Sequence, residues 1–324
     1  MRIVITGGAG FLGQRLAQAI LARGQLTDAR GAVRAVRELV LLDVVPAAGS
    51  ADPRVRTLAG DLADPMVAAA AITPDTASVF HLAAVVSGQA EADFALGMRV
   101  NLDATRQLLD RCRALPAPPK FVFASSLAVF GGTLPDPVPD DAPLLPQSSY
   151  GTQKAIGELL VSDLSRRGAI DGRSLRLPTV TVRPGKPNKA ASSFASGIIR
   201  EPLAGVEAIC PVAPTTRMWL QSPQAVIANL IVGHEAPAAA LAGRRSVNVP
   251  GISVAVGDMV AALRAVAGSA VADRIVWQFD PAVDRIVSTW PAAFAARHGH
   301  ALGMRADDDF AAIVRAYLAE HAAA

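Results

Sequence analysis

The run Arg2-Ile3-Val4-Ile5-Thr6-Gly7-Gly8-Ala9-Gly10-Phe11-Leu12-Gly13, close to the start of the chain, decides the fold. Its β-branched residues predict a short strand, and a helical pattern follows. Between them, Gly7, Gly10 and Gly13 permit a tight turn, a close approach of the backbone to a ligand, and close packing of the helix on the strand. A strand, a glycine turn and a helix start in this order are typical of a dinucleotide-binding site, where the helix N-terminus faces the pyrophosphate.

Strand and helix patterns alternate along the rest of the chain. The predicted strands lie near residues 2–6, 37–43, 55–59, 78–83, 120–125 and 174–181, with helical stretches between them, notably 90–113 and 148–167. This alternation predicts an α/β fold with a doubly wound parallel sheet of the Rossmann type. We expect residues 1–183 to form the dinucleotide-binding domain and residues 184–324 a smaller α/β part that binds the substrate, with some segments returning to the main domain.

The second predicted strand ends in an acidic residue, Asp43. In this kind of site an acidic residue at that position holds the adenosine ribose hydroxyls. Because a carboxylate repels a 2′-phosphate, Asp43 favours NAD over NADP. The small residues Ala83 and Ala84, after the strand that contains His81, suit close approach by a flat cofactor, and His81 itself is interpreted as a packed strand residue.

Tyr150 and Lys154 lie four residues apart in a predicted helix, so they share one face. A phenol normally ionises near pH 10, and a neighbouring ammonium favours the phenolate. Lowering the pKa of the phenol to about 7 requires roughly 4 kcal/mol, which Lys154 and a bound cationic cofactor together can supply. The pair therefore predicts that Tyr150 acts as a general base at neutral pH.

The motifs and their order resemble the extended short-chain dehydrogenase/reductase family, of the NAD-dependent epimerase/dehydratase type. The resemblance covers the chain from its start to about residue 185. It rests on the opening glycine run, Asp43, Asp61-Leu62, His81-Leu82-Ala83-Ala84, Asn101, Ser125-Ser126-Leu127-Ala128-Val129-Phe130-Gly131 and Tyr150-Gly151-Thr152-Gln153-Lys154. One departure is Phe130, where many members that act on nucleotide sugars carry tyrosine.

The resemblance implies roles for particular residues. Ser126, Tyr150 and Lys154 would be catalytic, and Lys154 would also hold the nicotinamide ribose. Dimerisation through the helices near 90–113 and 148–167 would give a homodimer. The residues implied in binding NAD are Gly7, Gly10, Phe11, Leu12, Gly13, Asp43, Asp61, Leu62, Leu82, Ala83, Ala84, Asn101, Ser126, Tyr150, Lys154, Pro178 and Val180.

The substrate is predicted to be a small acid. Arg217 can hold a carboxylate or phosphate with two parallel hydrogen bonds, and few aromatic residues follow residue 183 to stack on a nucleobase. The run Thr181-Val182-Arg183-Pro184-Gly185-Lys186-Pro187-Asn188-Lys189-Ala190-Ala191-Ser192-Ser193-Phe194 resembles the subgroup that oxidises the C2 hydroxyl of D-erythronate, a four-carbon sugar acid. The predicted substrate residues are Ser87, Ser126, Tyr150, Asn188, Ser192 and Arg217.

Two alternatives share the same motifs: an epimerase of nucleotide sugars that keeps NAD tightly bound, and a dinucleotide sensor without turnover. The intact set of Ser126, Tyr150 and Lys154 argues against the sensor.

The bulk composition excludes other classes of function. A net charge of +3, without a basic stripe, gives no sign of nucleic-acid binding. The cysteines Cys112 and Cys210 fit a reducing compartment and have no zinc-site spacing, so we expect no metal. The first predicted strand leaves no room for a signal peptide, and no apolar run approaches the roughly 20 residues of a membrane span. We therefore expect a cytoplasmic enzyme with a small-molecule substrate and no membrane partner.

Overall fold

The structure, a computed structural model, describes residues 1–47, 49–185, 190–241 and 243–321. The strands in chain order are β1 (Arg2–Thr6), β2 (Gln25–Thr27), β3 (Val33–Ala35), β4 (Glu38–Asp43), β5 (Val55–Ala59), β6 (Thr76–His81), β7 (Lys120–Ser126), β8 (Asp171–Leu177), β9 (Thr179–Val180), β10 (Ala208–Cys210), β11 (Arg217–Gln221), β12 (Ser246–Asn248), β13 (Ile252–Ala255) and β14 (Ile275–Trp277).

The helices alternate with these strands. In chain order they are α1 (Phe11–Arg23), α2 (Pro65–Ala71), α3 (Ser87–Ala92), α4 (Phe94–Gly97), α5 (Ala104–Arg113), α6 (Ser149–Arg166), α7 (Phe194–Leu203), α8 (Pro223–Glu235), α9 (Val256–Ala267), α10 (Ser269–Ala272), α11 (Pro281–Val287), α12 (Arg297–Ala301) and α13 (Phe310–His321). A π-helical segment, Met98–Asp103, separates α4 from α5.

Seven strands form a parallel sheet in the order β12-β8-β7-β6-β1-β4-β5. From β1 the chain builds the sheet outward through β4 and β5 and then returns to add β6, β7 and β8 on the other side. The strand order therefore reverses between β1 and β6. In doubly wound sheets ligands bind at such a point, outside the carboxyl ends of the strands. The predicted fold class is confirmed.

The central strands of the sheet are buried on both faces, as expected for parallel strands covered by helices, whereas the edge strand β5 is mostly exposed. All five residues of β1 are buried, and Ile3, Val4 and Ile5 have no exposed surface. On one face, Leu108 and Leu109 of α5 pack in one core cluster with residues of β4, β6 and β7. Each such aliphatic side chain contributes about 2 kcal/mol through burial, so the strand ends that carry the site stand on a rigid core.

The chain divides into two compact units. The first comprises residues 1–126, 149–176 and 227–247 and contains most of the seven-stranded sheet. The second comprises residues 127–148, 177–226 and 248–324. It contains the three-stranded sheet β13-β11-β9, the parallel pair β10-β14 and a separate core that includes Ile198, Leu220 and Met259.

Some predicted boundaries were wrong, for local reasons. The strand expected over 174–181 is two strands, β8 and β9, because Pro178 between them has no backbone N–H to donate to a sheet. The helix expected over 90–113 is broken after α3, where the Asp93 side chain accepts a hydrogen bond from the backbone of Leu96 and starts α4. Within the described residues, no helix combines the length and the hydrophobicity that crossing a bilayer requires.

Candidate active site

The glycine turn between β1 and α1 has no room for a side chain at two of its glycines, Gly7 and Gly13. Gly7 adopts a φ of +71°, and a Cβ atom there would lie 2.9 Å from the backbone nitrogen of Ala83, beyond the end of β6. A Cβ atom on Gly13 would collide with the carbonyl of Gly7. Gly10, the residue before α1, makes no side-chain cap, so the first N–H groups of the helix keep their capacity to bind an anion. The turn is a cradle that fits a pyrophosphate.

Asp43 lies beside this cradle. Its Oδ2 atom accepts a hydrogen bond of 3.0 Å from the backbone N–H of Ala9, inside the glycine turn, and its side chain is half-buried. Asp61, by contrast, is exposed and forms an ion pair with Arg99. A hydrogen bond from the Ala63 N–H and the Arg99 guanidinium hold the pKa of Asp61 below its usual value. Leu62 is buried next to it.

The residues that follow β6 are hydrogen-bonded to Thr6, the last residue of β1 before the glycine turn. The N–H of Leu82 donates to the carbonyl of Thr6 at 3.2 Å, and the N–H of Ala83 donates to the Thr6 hydroxyl at 3.2 Å. His81 lies between the hydroxyls of Thr6 (2.6 Å) and Thr105 (2.8 Å) and is fully buried. Burial lowers the pKa of His81 to about 3, so the ring is neutral and structural, in agreement with the sequence-based interpretation.

Asn101, in the π-helical segment, holds the stretch that follows Ala84. Its Oδ1 atom accepts from the N–H of Val85 at 2.7 Å, and its Nδ2 atom donates to the Val85 carbonyl at 3.0 Å. The same Nδ2 atom donates to the side chain of Gln153 at 2.8 Å. Asn101 is therefore a brace between this stretch and α6, whereas its contact with the cofactor stays a prediction.

Tyr150 and Lys154 share one face of α6, as their spacing predicts. The Lys154 Nζ atom is 5.7 Å from the centroid of the Tyr150 ring and 4.7 Å from that of Phe123, and it donates a 2.8 Å hydrogen bond to the carbonyl of Ala124. Only 2% of Lys154 is exposed. Burial lowers its pKa to about 7, and the carboxylate of Glu158 acts in the opposite direction.

Two serines end β7, and their surroundings differ. The Ser125 hydroxyl is buried and donates to Glu158 at 2.6 Å, whereas Ser126 is half-buried. Successive side chains of a strand point to opposite faces, so the two hydroxyls cannot serve the same site. This arrangement favours Ser126, the predicted residue, as the hydroxyl that meets a substrate.

The remaining predicted residues lie in both units. Ser87 is buried at the start of α3 in the first unit. In the second unit, Pro178 is buried between β8 and β9, Val180 pairs with β11 and Ser192 is half-buried in a short 3₁₀ turn. Asn188 lies outside the described residues.

Arg217 begins β11 in the second unit, and 49% of its side chain is exposed. Its Nη1 atom is 3.2 Å from the carboxylate of Asp136, and its Nη2 atom donates to the Ser253 hydroxyl at 2.8 Å. The guanidinium lines a small pocket inside this unit, together with Leu127, Thr179, Met218, Trp219, Val287, Trp290 and Pro291. The predicted carboxylate-binding residue thus already pairs with a carboxylate of the protein.

Sequence reasoning missed two acidic residues, Glu158 and Asp136. Glu158 could have been found, since it lies four residues after Lys154 and therefore on the same helix face. Asp136 gave no signal, because it lies in a proline-rich loop and pairs with a residue 81 positions away in the chain.

The chain is similar to known proteins of one family. It matches the NAD dependent epimerase/dehydratase family over residues 3–228. It is 60% identical over 318 residues to D-erythronate dehydrogenase of Cupriavidus necator, covering 98% of both chains, and 45% identical over 319 residues to D-erythronate dehydrogenase of Haemophilus influenzae, covering 98% and 99%. Among solved structures, the nucleoside-diphosphate-sugar epimerase from Agrobacterium tumefaciens is 40% identical with a TM-score of 0.93, covering 100% of this chain and 95% of that one.

Proposed function

The chain belongs to the NAD dependent epimerase/dehydratase family, and from this premise we propose that it oxidises the C2 hydroxyl of D-erythronate to give 2-oxo-D-erythronate. It is an NAD-dependent dehydrogenase that acts on a CH–OH group. The observation that carries the choice of substrate is its identity of 60% and 45% to two D-erythronate dehydrogenases. The match covers 98% of this chain and so includes the second unit, which supports a shared substrate and not merely a shared cofactor fold.

The residues at the carboxyl ends of β1 and β6, where the strand order reverses, fit NAD. The glycine cradle and the first N–H groups of α1 would hold the pyrophosphate, and Asp43 would accept hydrogen bonds from the adenosine ribose. Asp61 and Leu62 would lie at the adenine, and Leu82, Ala83 and Ala84 along the cofactor. When bound, NAD supplies the acceptor for the hydride that leaves C2 of the substrate.

The chemical step needs a base, and Tyr150 would supply it. Its phenolate oxygen takes the proton of the C2 hydroxyl, while the Ser126 hydroxyl donates a hydrogen bond to the same oxygen and fixes its direction. Lys154, one helical turn from Tyr150, stabilises the phenolate when it is charged. The distances of Lys154 from the Tyr150 ring and from the backbone of β7 support this assignment.

The acid group of the substrate needs a cation, and Arg217 would provide it. A guanidinium binds a carboxylate through two hydrogen bonds, and Arg217 lines a pocket in the second unit. Because Asp136 already pairs with this guanidinium, a substrate carboxylate would bind by replacing Asp136. Ser87 and Ser192 would contribute hydroxyl contacts to the sugar acid.

A panel of acids tests the proposal. Purified enzyme is mixed with NAD and, in turn, with D- and L-erythronate, D- and L-threonate and hexuronic acids, and NADH formation is followed by absorbance. We expect rapid NADH formation with D-erythronate and little with the others. Silence with D-erythronate, in protein that still binds NAD, contradicts the proposed substrate.

A nucleotide-sugar epimerase is the second candidate, because the nucleoside-diphosphate-sugar epimerase from Agrobacterium tumefaciens is 40% identical to this chain. An epimerase regenerates its cofactor and forms no net NADH. Stoichiometric NAD retained through purification, together with interconversion of two nucleotide sugars, would favour this candidate.

A further inference from the structure

Glu158 is a buried carboxylate on the face of α6 that carries Tyr150 and Lys154. The three residues are spaced four apart, so their side chains follow one another by single helical turns. Glu158, like Lys154, is only 2% exposed. A buried carboxylate is tolerated when it is paired and fully hydrogen-bonded, and the partners of Glu158 indicate what it does.

Arg176 of β8 and Ser125 of β7 hold the carboxylate in place. The Arg176 Nε atom donates to both carboxylate oxygens at 3.0 and 3.1 Å, and its Nη2 atom donates at 2.7 Å. The Ser125 hydroxyl donates at 2.6 Å. One carboxylate thus ties α6 to two neighbouring strands, and because Ser125 precedes Ser126, it restrains the backbone that carries Ser126.

Glu158 is also the negative charge that acts on Lys154. The groups that β7 presents to Lys154, the Phe123 ring and the Ala124 carbonyl, are uncharged. His81 of β6 is near Lys154 and neutral, since burial holds its pKa at about 3. Burial lowers the pKa of Lys154, and none of these groups carries a negative charge that would raise it in the absence of Glu158.

Among the described contacts, the other elements around Lys154 bring one further charge, the Arg176 guanidinium, and Glu158 pairs with it. The π-helical segment contributes Asn101, which binds the amide of Gln153, and both side chains are uncharged. Arg176 directs its guanidinium at Glu158. Tyr150 is the other titratable group on this face of α6.

We propose that Glu158 is a positioning residue for the oxidation: held by Arg176 and Ser125, it orients the Ser126 end of β7 and keeps Lys154 an ammonium beside Tyr150. This inference rests on the proposed function, in which Tyr150 is the base. Glu158 acts through Lys154 and Ser126 and does not itself meet the substrate.

The two tyrosines of the chain allow a test that needs no substrate. In a Tyr317→Phe background, Tyr150 is the remaining tyrosine, so the near-ultraviolet absorbance of tyrosinate reports its ionisation directly. The midpoint of this titration is compared between the background protein and Glu158→Gln, with and without NAD. Because Tyr150 and Lys154 titrate as a coupled pair, the midpoint is a property of the pair.

We expect Glu158→Gln to raise the midpoint by roughly one pH unit. Glu158 lies about 12 Å from Tyr150 along the helix axis and Lys154 about 6 Å, so losing the charge of Lys154 outweighs losing the charge of Glu158 itself. An unchanged or lowered midpoint overturns the electrostatic part of the proposal.

Glu158→Asp tests the orienting role separately. It keeps the negative charge but shortens the side chain by one methylene, so the carboxylate moves away from Arg176 and Ser125. We expect an unchanged midpoint and a kcat about tenfold lower, with the Kd for NAD within about twofold. An unchanged kcat overturns the orienting role, and this variant tests that role even where Glu158→Gln fails to fold.

Asp171→Asn is the matched control. Asp171 is also a buried carboxylate paired with arginines, Arg173 at 2.9 Å and Arg245 at 2.7 Å, but it stands at the opposite end of β8. Asp171→Asn should lower thermal stability without moving the Tyr150 midpoint, and a shift equal to that of Glu158→Gln overturns the proposal.

The proposed function and the role of Glu158 fail in different experiments. A wild-type enzyme that forms no NADH with D-erythronate contradicts the proposed function, while the titration still tests Glu158.

Discussion

The ammonium of Lys154 donates a 2.8 Å hydrogen bond to the carbonyl oxygen of Ala124, two residues before Ser126 on β7. This contact joins the helix of the predicted base to the strand of the predicted hydroxyl donor. It also places a cation in a position with 2% exposure, where the charged form is disfavoured. The site therefore keeps a lysine whose burial lowers the stability of the fold.

Lys154→Met is expected to abolish turnover and to raise the free energy of unfolding of the cofactor-free protein at neutral pH. The folded pKa of about 7 lies below the usual 10.5, so the buried ammonium costs on the order of 4 kcal/mol near pH 7. The variant also loses the hydrogen bond to Ala124, which reduces its gain in stability by about 1 kcal/mol. The free energy of unfolding should therefore be larger for the variant than for the wild type.

The sign of the pH dependence gives the check. Between about pH 7 and pH 10 the unfolded chain binds more protons at Lys154 than the folded chain, so wild-type stability rises with pH in this window. The advantage of Lys154→Met should thus shrink as pH rises and level off below about pH 7. Denaturant unfolding of both proteins at several pH values measures the difference in their free energies of unfolding. A difference that stays constant with pH would show that burial does not disfavour the charged form of Lys154.

Tyr150→Phe is expected to lose nearly all turnover while the Kd for NAD stays within about twofold. The substitution removes the phenol oxygen, the atom assigned to the proton transfer, and leaves the ring beside Lys154. Steady-state rates and a cofactor titration on the same preparation separate the two effects. Retained turnover would remove Tyr150 from the chemistry.

Asp43→Asn should weaken NAD binding by about tenfold, or 1.4 kcal/mol, and lessen the preference over NADP. The amide oxygen can still accept from the N–H of Ala9, so the glycine turn should keep its shape. What is lost is the charge that repels a 2′-phosphate. Calorimetric titration with both cofactors gives the two Kd values, and equal weakening of both would show that Asp43 is structural only.

Much of the first unit could be predicted from the sequence, because its signals are local. The β-branched run and glycines from Arg2 to Gly13 specify a strand, a turn and a helix, and the spacing of Tyr150 and Lys154 specifies one helix face. The family, the enzyme class and NAD are confirmed. The homodimer and the roles of individual residues stay predictions.

The second unit was less predictable, because its elements are short and its pairings are distant in sequence. Strand β11 was not predicted, although it pairs with β9 and β13. The partner of Arg217 was likewise hidden: a surface ion pair between a loop and a strand leaves no periodic pattern, and only the folded chain reveals it.

Arg217→Ala is expected to raise the KM for the acid by more than about tenfold and to change kcat by much less, because a guanidinium that grips a non-reacting carboxylate contributes mainly to binding. Asp136→Asn should act in the opposite direction. It removes the carboxylate that competes for Arg217, and since both side chains are largely exposed, the gain should be only about two- to fivefold in KM.

The control is Arg113→Ala, which breaks another exposed arginine–aspartate pair, with Asp110 at 2.9 Å on α5, and should leave the KM unchanged. Steady-state kinetics with D-erythronate across the three variants measures all of these effects. A KM that Arg217→Ala does not change, or that Asp136→Asn raises, would mean that the acid is held by a different group. An equal rise in Arg113→Ala would point to general electrostatic attraction and not to a specific grip.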